Sequence, residues 1–157
     1  MAEKDYYPEV EAWLNQYLKD KYKGYKVITT YEGHKHNIDV VLKKYDIDLP
    51  DAKGLNIEID VIGILKRKEI VKLVFVEVKA VPLTLNHLGQ LWGYCQLLNP
   101  DEAFLISPEG IGSLTKILFD LRRIDILQYG KNKQYKSMKV AQWDISRKNI
   151  DHSTLIE

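Results

Sequence analysis

The chain has 157 residues, 45% of them hydrophobic and 29% charged, which excludes a disordered or low-complexity protein and suits a single domain spanning 1–157. No apolar run approaches the ~20 residues needed to cross a bilayer, and Met1–Asp5 leads into no apolar signal core, so no membrane partner is expected. A formal net charge of +1 argues neither for nor against nucleic acid; the single cysteine, Cys95, excludes an internal disulfide and fits a reducing cytoplasm.

From about Tyr6 to Tyr22, the residues Val10, Trp13, Leu14, Tyr17 and Leu18 recur at helical spacing, with Asp5 as a cap and Pro8 in the first turn. Tyr25 to Tyr31 is β-rich, and Asn37 to Lys43 reads as a second extended segment. Tyr45 to Gly54 reads as a loop because it holds Asp46, Asp48, Pro50, Asp51 and Gly54. Two Ile- and Val-rich strands follow, Leu55 to Lys66 and Ile70 to Ala80, joined by Arg67-Lys68-Glu69 as an antiparallel hairpin. Leu85 to Leu98 predicts a helix with Leu88, Leu91, Trp92 and Cys95 on one face, stopped by Asn99-Pro100-Asp101. Ala103 to Ser107 predicts a short strand and Gly112 to Arg123 a third helix. Ile124 to Tyr129 and Ser137 to Asp144 predict a final pair of strands. The order implies an α/β fold, with a mixed central sheet of about five strands flanked by helices.

Charges inside the two most apolar strands need an explanation, because an unpaired buried charge costs several kcal/mol. Glu58 and Asp60 interrupt Ile57–Ile62, and Glu77 and Lys79 interrupt Val74–Ala80. Strand alternation puts Glu77 with Lys79 on one face and Glu58 with Asp60 on another. If the hairpin aligns those faces, two or three carboxylates meet one ammonium, an oxygen-rich arrangement suited to Mg²⁺. Such an ion would activate a water and neutralise phosphate charge. The alternative is a buried salt bridge, with Lys79 neutralising one carboxylate.

Asp60 followed by Glu77-Val78-Lys79 at the end of the next strand resembles the signature of the PD-(D/E)XK nucleases. The resemblance implies a restriction-endonuclease-like core and Mg²⁺ or Mn²⁺ held by Asp60, Glu77 and the Val78 carbonyl, with Lys79 acting on the attacking water. It covers roughly Asp5 to Ser107, although Ile59 stands where the family has a proline. Gln90-Leu91-Trp92-Gly93-Tyr94 is similar to the Gln-x-x-x-Tyr motif of RecB-type nucleases, in which the glutamine reaches back to the site. The family also implies an acidic residue on the first helix. Glu9 and Glu11 both flank the apolar stripe; Glu11 is favoured for its spacing to Leu14 and Leu18, with Glu32 as a further candidate. The expected activity is therefore hydrolysis of phosphodiester bonds, in DNA first. The alternative is a non-catalytic nucleic-acid-binding or assembly subunit that retains the fold.

From Asp120 to Lys148 eight basic residues face three acidic ones, so Arg122, Lys131, Lys133, Lys136 and Lys139 are candidate phosphate contacts, and Tyr94 a candidate contact from the helix. A second copy of the chain is also an allowed partner. His34 and His36 lack a third ligand nearby and predict no zinc site. Gly110-Ile111-Gly112 predicts a plain turn.

Overall fold

In the computed structural model, which describes residues 1–157, the first helix, α1, runs Tyr7–Lys21. Its buried Tyr7, Val10, Leu14 and Leu18 recur every three or four positions and form one apolar stripe. Strand β1 (Lys26–Thr30) follows, then a short helix α2 (Ile38–Lys43). Strands β2 (Val61–Arg67) and β3 (Ile70–Val78) make the expected antiparallel hairpin, with Val61 opposite Val76 and Arg67 opposite Ile70. Helix α3 (Leu85–Leu98) crosses back, so that β4 (Glu102–Ser107) lies parallel to β3. Strands β5 (Gln128–Lys131) and β6 (Gln134–Ser137) form a separate two-stranded sheet. Strand β7 (Lys139–Asp144) is parallel to β4, and β8 (Asn149–Ile156) closes the far edge antiparallel to β7. The main sheet is mixed and six-stranded, in the order β1-β2-β3-β4-β7-β8.

Alternation along the strands builds two cores. Val74, Val76 and Val78 face α1 together with Val61, Phe104 and Ile106. Leu73, Phe75, Ile62, Ile64 and Leu105 face the side covered by Leu88, Leu91 and Cys95 of α3 and by Val41 and Leu42 of α2. Glu77 falls in step with Leu73 and Phe75, so it points to the α3 side. Helix α1 lies close to the sheet because β2 carries a glycine under it: a Cβ on Gly63 would stand 2.5 Å from Leu18 Cδ1. Truncating Leu14 or Leu18 to alanine removes atoms from a fully buried seam, which typically costs about 2–5 kcal/mol. No helix is long and apolar enough to cross a membrane.

Several predicted elements are corrected. Residues 38–43 are helical, not extended, because Ile38, Val41 and Leu42 bury one helical face and override their β propensity. The strand expected from Leu55 begins only at Val61; before it the chain is irregular, and the Ile57 carbonyl accepts from the Ile38 N–H. Glu58 is consequently exposed while Asp60 is buried, so the two do not share a face. The helix expected over Gly112 to Arg123 is reduced to one wide π-type turn, Lys116–Asp120, and Arg122 adopts a left-handed φ of 54°. Residues Ile124–Leu127 form a 3₁₀ turn, and the strand after it pairs with β6 instead of β7. Trp92 is 39% exposed, and its indole donates to the Gln128 carbonyl at 2.8 Å. Gly112 serves packing, since a Cβ there would overlap the Leu83 backbone.

Candidate active site

The register that sets Val61 against Val76 carries Asp60, one residue before β2, opposite Glu77. The Asp60 N–H donates to Glu77 Oε1 at 3.3 Å, and the Val78 N–H donates to Asp60 Oδ2 at 2.9 Å. Both acids are buried, Asp60 at 9% exposure and Glu77 at 7%. Lys79 lies just past the end of β3, where its N–H bonds the Ile106 carbonyl of β4 at 3.0 Å. Its Nζ lies 4.0 Å from Glu77 Oε2. The hairpin and the parallel neighbour thus bring Asp60, Glu77 and Lys79 together.

Burial, then the adjacent Asp60 charge, pushes the Glu77 carboxyl well above the usual carboxylate range, and Lys79 offsets this only in part. A single ammonium does not neutralise two carboxylates, so the site lacks positive charge whenever both acids are ionised. The donor chemistry fits a hard cation. Two carboxylates suit Mg²⁺, which keeps several waters, and no group of three His, Cys, Asp or Glu residues is present to suit a closed transition-metal cage.

The helix-borne acids do not join the pair. Glu11 accepts from Thr29 Oγ1 at 3.4 Å, with its pKa raised by burial. Glu9 accepts from the Trp143 indole at 3.0 Å, and Glu32 pairs with Lys44 at 2.7 Å. The first helix supplies Tyr7 instead, whose hydroxyl donates to Asp60 Oδ1 at 2.9 Å. Burial and the Asp60 charge hold that phenol strongly protonated. Tyr7 escaped the sequence reading because an aromatic residue on an apolar helix stripe looks like core, which it also is. His34 packs on the Tyr7 ring with centroids 5.0 Å apart, and Gly33 beside it lets the turn touch the Ile59 carbonyl.

Gln90 Nε2 donates to Tyr94 Oη at 3.2 Å, so the two motif residues meet each other on α3; Gln90 makes no hydrogen bond to Asp60, Glu77 or Lys79. His87 lies at the start of α3, where its Nδ1 accepts the Thr84 N–H at 3.1 Å. Burial and the nearby Lys79 charge hold this imidazole below its usual range.

The basic stretch divides in two. Arg122, Lys131 and Lys133 are exposed, Lys131 at 3.9 Å from Asp51. Lys136 bonds Asn99 Oδ1 and the Pro100 carbonyl at 3.3 Å. Lys139 is committed to Glu102 at 2.8 Å. Glu102, at the start of β4 and 4% exposed, was missed because the predicted strand began one residue later. It also accepts from Tyr17 at 2.6 Å and from Tyr22, and lies 3.1 Å from Lys21 Nζ. Burial opposes its ionisation, but the Lys139, Tyr17 and Tyr22 hydrogen bonds outweigh that and lower its pKa to about 2.

No protein-family model, no curated protein and no solved structure matches the chain. A functional reading therefore stands on the geometry of Asp60, Glu77 and Lys79 and on the motif they form.

Proposed function

We propose that this chain is a metal-dependent nuclease of the PD-(D/E)XK type that hydrolyses phosphodiester bonds, with DNA as its first substrate and Mg²⁺ or Mn²⁺ as its cofactor. The observation that carries this reading is the buried Asp60–Glu77 pair, opposed across a hairpin and left short of positive charge beside one lysine. In this reading α1, the strands from β1 to β4 and α3 constitute a restriction-endonuclease-like core. The lone, buried Cys95 fits a reducing cytoplasm.

Asp60 and Glu77, with the Val78 carbonyl that the family resemblance implies, would hold the ion. When bound, a divalent cation there supplies phosphate-charge neutralisation and a more acidic water. Lys79, anchored to β4 through its backbone, holds its ammonium beside Glu77, where it can orient the attacking water or face the charge that develops on phosphorus oxygens. Arg122 and Lys133 stay free for the phosphate backbone, Lys131 is held only by a long, exposed pairing with Asp51, and Tyr94 on α3 is a further contact. Lys136 and Lys139 are drawn into internal bonds.

The test is cleavage of labelled single-stranded, duplex and branched DNA with Mg²⁺ or Mn²⁺. Cleavage that stops on chelation supports the reading. DNA binding without cleavage across all substrates and both metals replaces it with a binding module that retains the fold.

A further inference from the structure

The acid that the family resemblance expects from the first helix is absent from the site, and a phenol stands in that place. Tyr7 is the first residue of α1 and only 4% exposed. Its hydroxyl and the Val78 N–H hold one Asp60 oxygen each, both at 2.9 Å. The two bonds fix the carboxylate in orientation and leave further lone pairs on both oxygens. Tyr7 is itself braced by His34, whose ring centroid lies 5.0 Å away. Glu9, Glu11 and Glu32 are engaged by Trp143, Thr29 and Lys44.

This difference changes the charge of the site. A helix carboxylate would add one negative charge, whereas a tyrosine hydroxyl that donates to Asp60 adds a hydrogen bond and no charge. With both carboxylates ionised, as they would be when ligating a cation, Asp60, Glu77 and Lys79 sum to a net charge of minus one. One divalent cation brings the site to plus one. A second would bring it to plus three; no third His, Cys, Asp or Glu groups with the pair to ligate it, and Glu3, whose charge also reaches Tyr7, would offset only one unit.

The geometry points to Tyr7 as the positioning residue that holds Asp60 for a single divalent cation. This inference rests on the metal-dependent reading and narrows it, from one or two ions to one. Tyr7 acts through Asp60, as hydrogen-bond partners of metal ligands generally do; losing such a partner typically weakens metal affinity roughly 10–100-fold.

The experiment titrates the full chain with Mn²⁺, following the free ion by electron paramagnetic resonance, alongside circular dichroism and thermal melts. Wild type is expected to bind one Mn²⁺ per chain. Tyr7→Phe keeps the buried ring, and should keep that stoichiometry while binding about tenfold more weakly or worse. A Tyr7 that serves packing alone would lower the melting temperature without moving the Mn²⁺ affinity of the folded protein. Two ions per wild-type chain, or unchanged affinity in Tyr7→Phe, overturns the inference and leaves the nuclease reading standing. If Tyr7→Phe does not fold, the wild-type stoichiometry decides by itself. Failure of wild type to bind Mn²⁺ at all overturns both.

Discussion

Two buried carboxylate clusters share one sheet, Glu102 on its α1 face and Glu77 on its α3 face with Asp60 beside it at the strand end, and their surroundings are opposite in sign. Glu102 faces α1 and is surrounded by donors: two lysines and two tyrosine hydroxyls converge on one acid. Asp60 and Glu77 are two acids with one ammonium 4.0 Å from the nearer carboxylate. Glu102 ionises more readily than a free carboxylate and Glu77 less readily, although both are buried. Burial alone therefore does not set how an acid ionises; what separates the two is whether the fold has supplied the compensating charge. Helix α1 serves both clusters, sending Tyr7 to Asp60 from its first residue and Tyr17 to Glu102 from its last turns.

The contrast should be largest in cleavage. Lys79→Ala is expected to cost on the order of 10²–10⁴-fold in single-turnover cleavage, with DNA affinity changed far less, because one ammonium among many phosphate contacts matters little. Glu102→Gln should leave the cleavage rate of the folded protein within a few-fold. Equal losses from both variants would erase the proposed division between a working and a structural cluster.

Stability should divide the other way. Glu102→Gln removes the acid on which Lys21, Lys139, Tyr17 and Tyr22 converge, and should cost about 2–4 kcal/mol in denaturant unfolding, less than a fully desolvated pair because Lys21 is half exposed. Glu77→Gln relieves repulsion with Asp60 and should be neutral or stabilising without metal. With saturating Mn²⁺ the order reverses, because wild type gains roughly 2.7 kcal/mol at a hundredfold excess over its dissociation constant and the weaker-binding variant gains less.

The smallest effect, and the most diagnostic in sign, is the pH dependence of stability. The Glu102 carboxyl is held at about 2, below its ordinary 4.5. Its contribution, on the order of 2 kcal/mol after allowance for screening, is complete above the ordinary value and is lost as pH falls toward the folded one. The Glu77 pKa is raised, so its protonated form favours the folded state. That contribution is complete below the ordinary value and is lost as pH rises through the raised one. Unfolding of the metal-free protein should therefore show stability rising through the acid range and then declining. Glu102→Gln should flatten the first limb and Glu77→Gln the second. A wild-type curve with no decline would remove the charge deficit assigned to the Asp60–Glu77 pair.

The sequence exposed the Asp60–Glu77 pair more clearly than the Glu102 cluster for a physical reason. Charges at Asp60, Glu77 and Lys79 break an otherwise apolar, β-branched run, and strand register alone then sets them face to face. Glu102 opens its strand next to the polar Asn99-Pro100-Asp101 stop, where an acid looks like a loop residue, and its partners come from α1 and β7, far away in sequence. Tyr7 was hidden by doing two things at once, filling the core and donating to Asp60. Strand β8 was hidden by its polarity, since Asp151, His152 and Ser153 satisfy a sheet edge without an apolar alternation. Residues 38–43 misled in the other direction, since their isoleucine and valines suggest a strand while their spacing buries a helical face.

Cys95 turns the underside of the candidate site into a chemical clock. The only thiol in the chain is fully buried on the inner face of α3, and burial together with the Glu77 charge holds it protonated far above the usual thiol range. An alkylating reagent can reach it only when α3 lifts from the sheet or the whole chain opens. The labelling rate, measured with and without Mn²⁺, then counts excursions of that helix. A metal that ties β2 to β3 without clamping α3 will leave the clock running at its old pace, and one that stiffens the whole sheet will slow it.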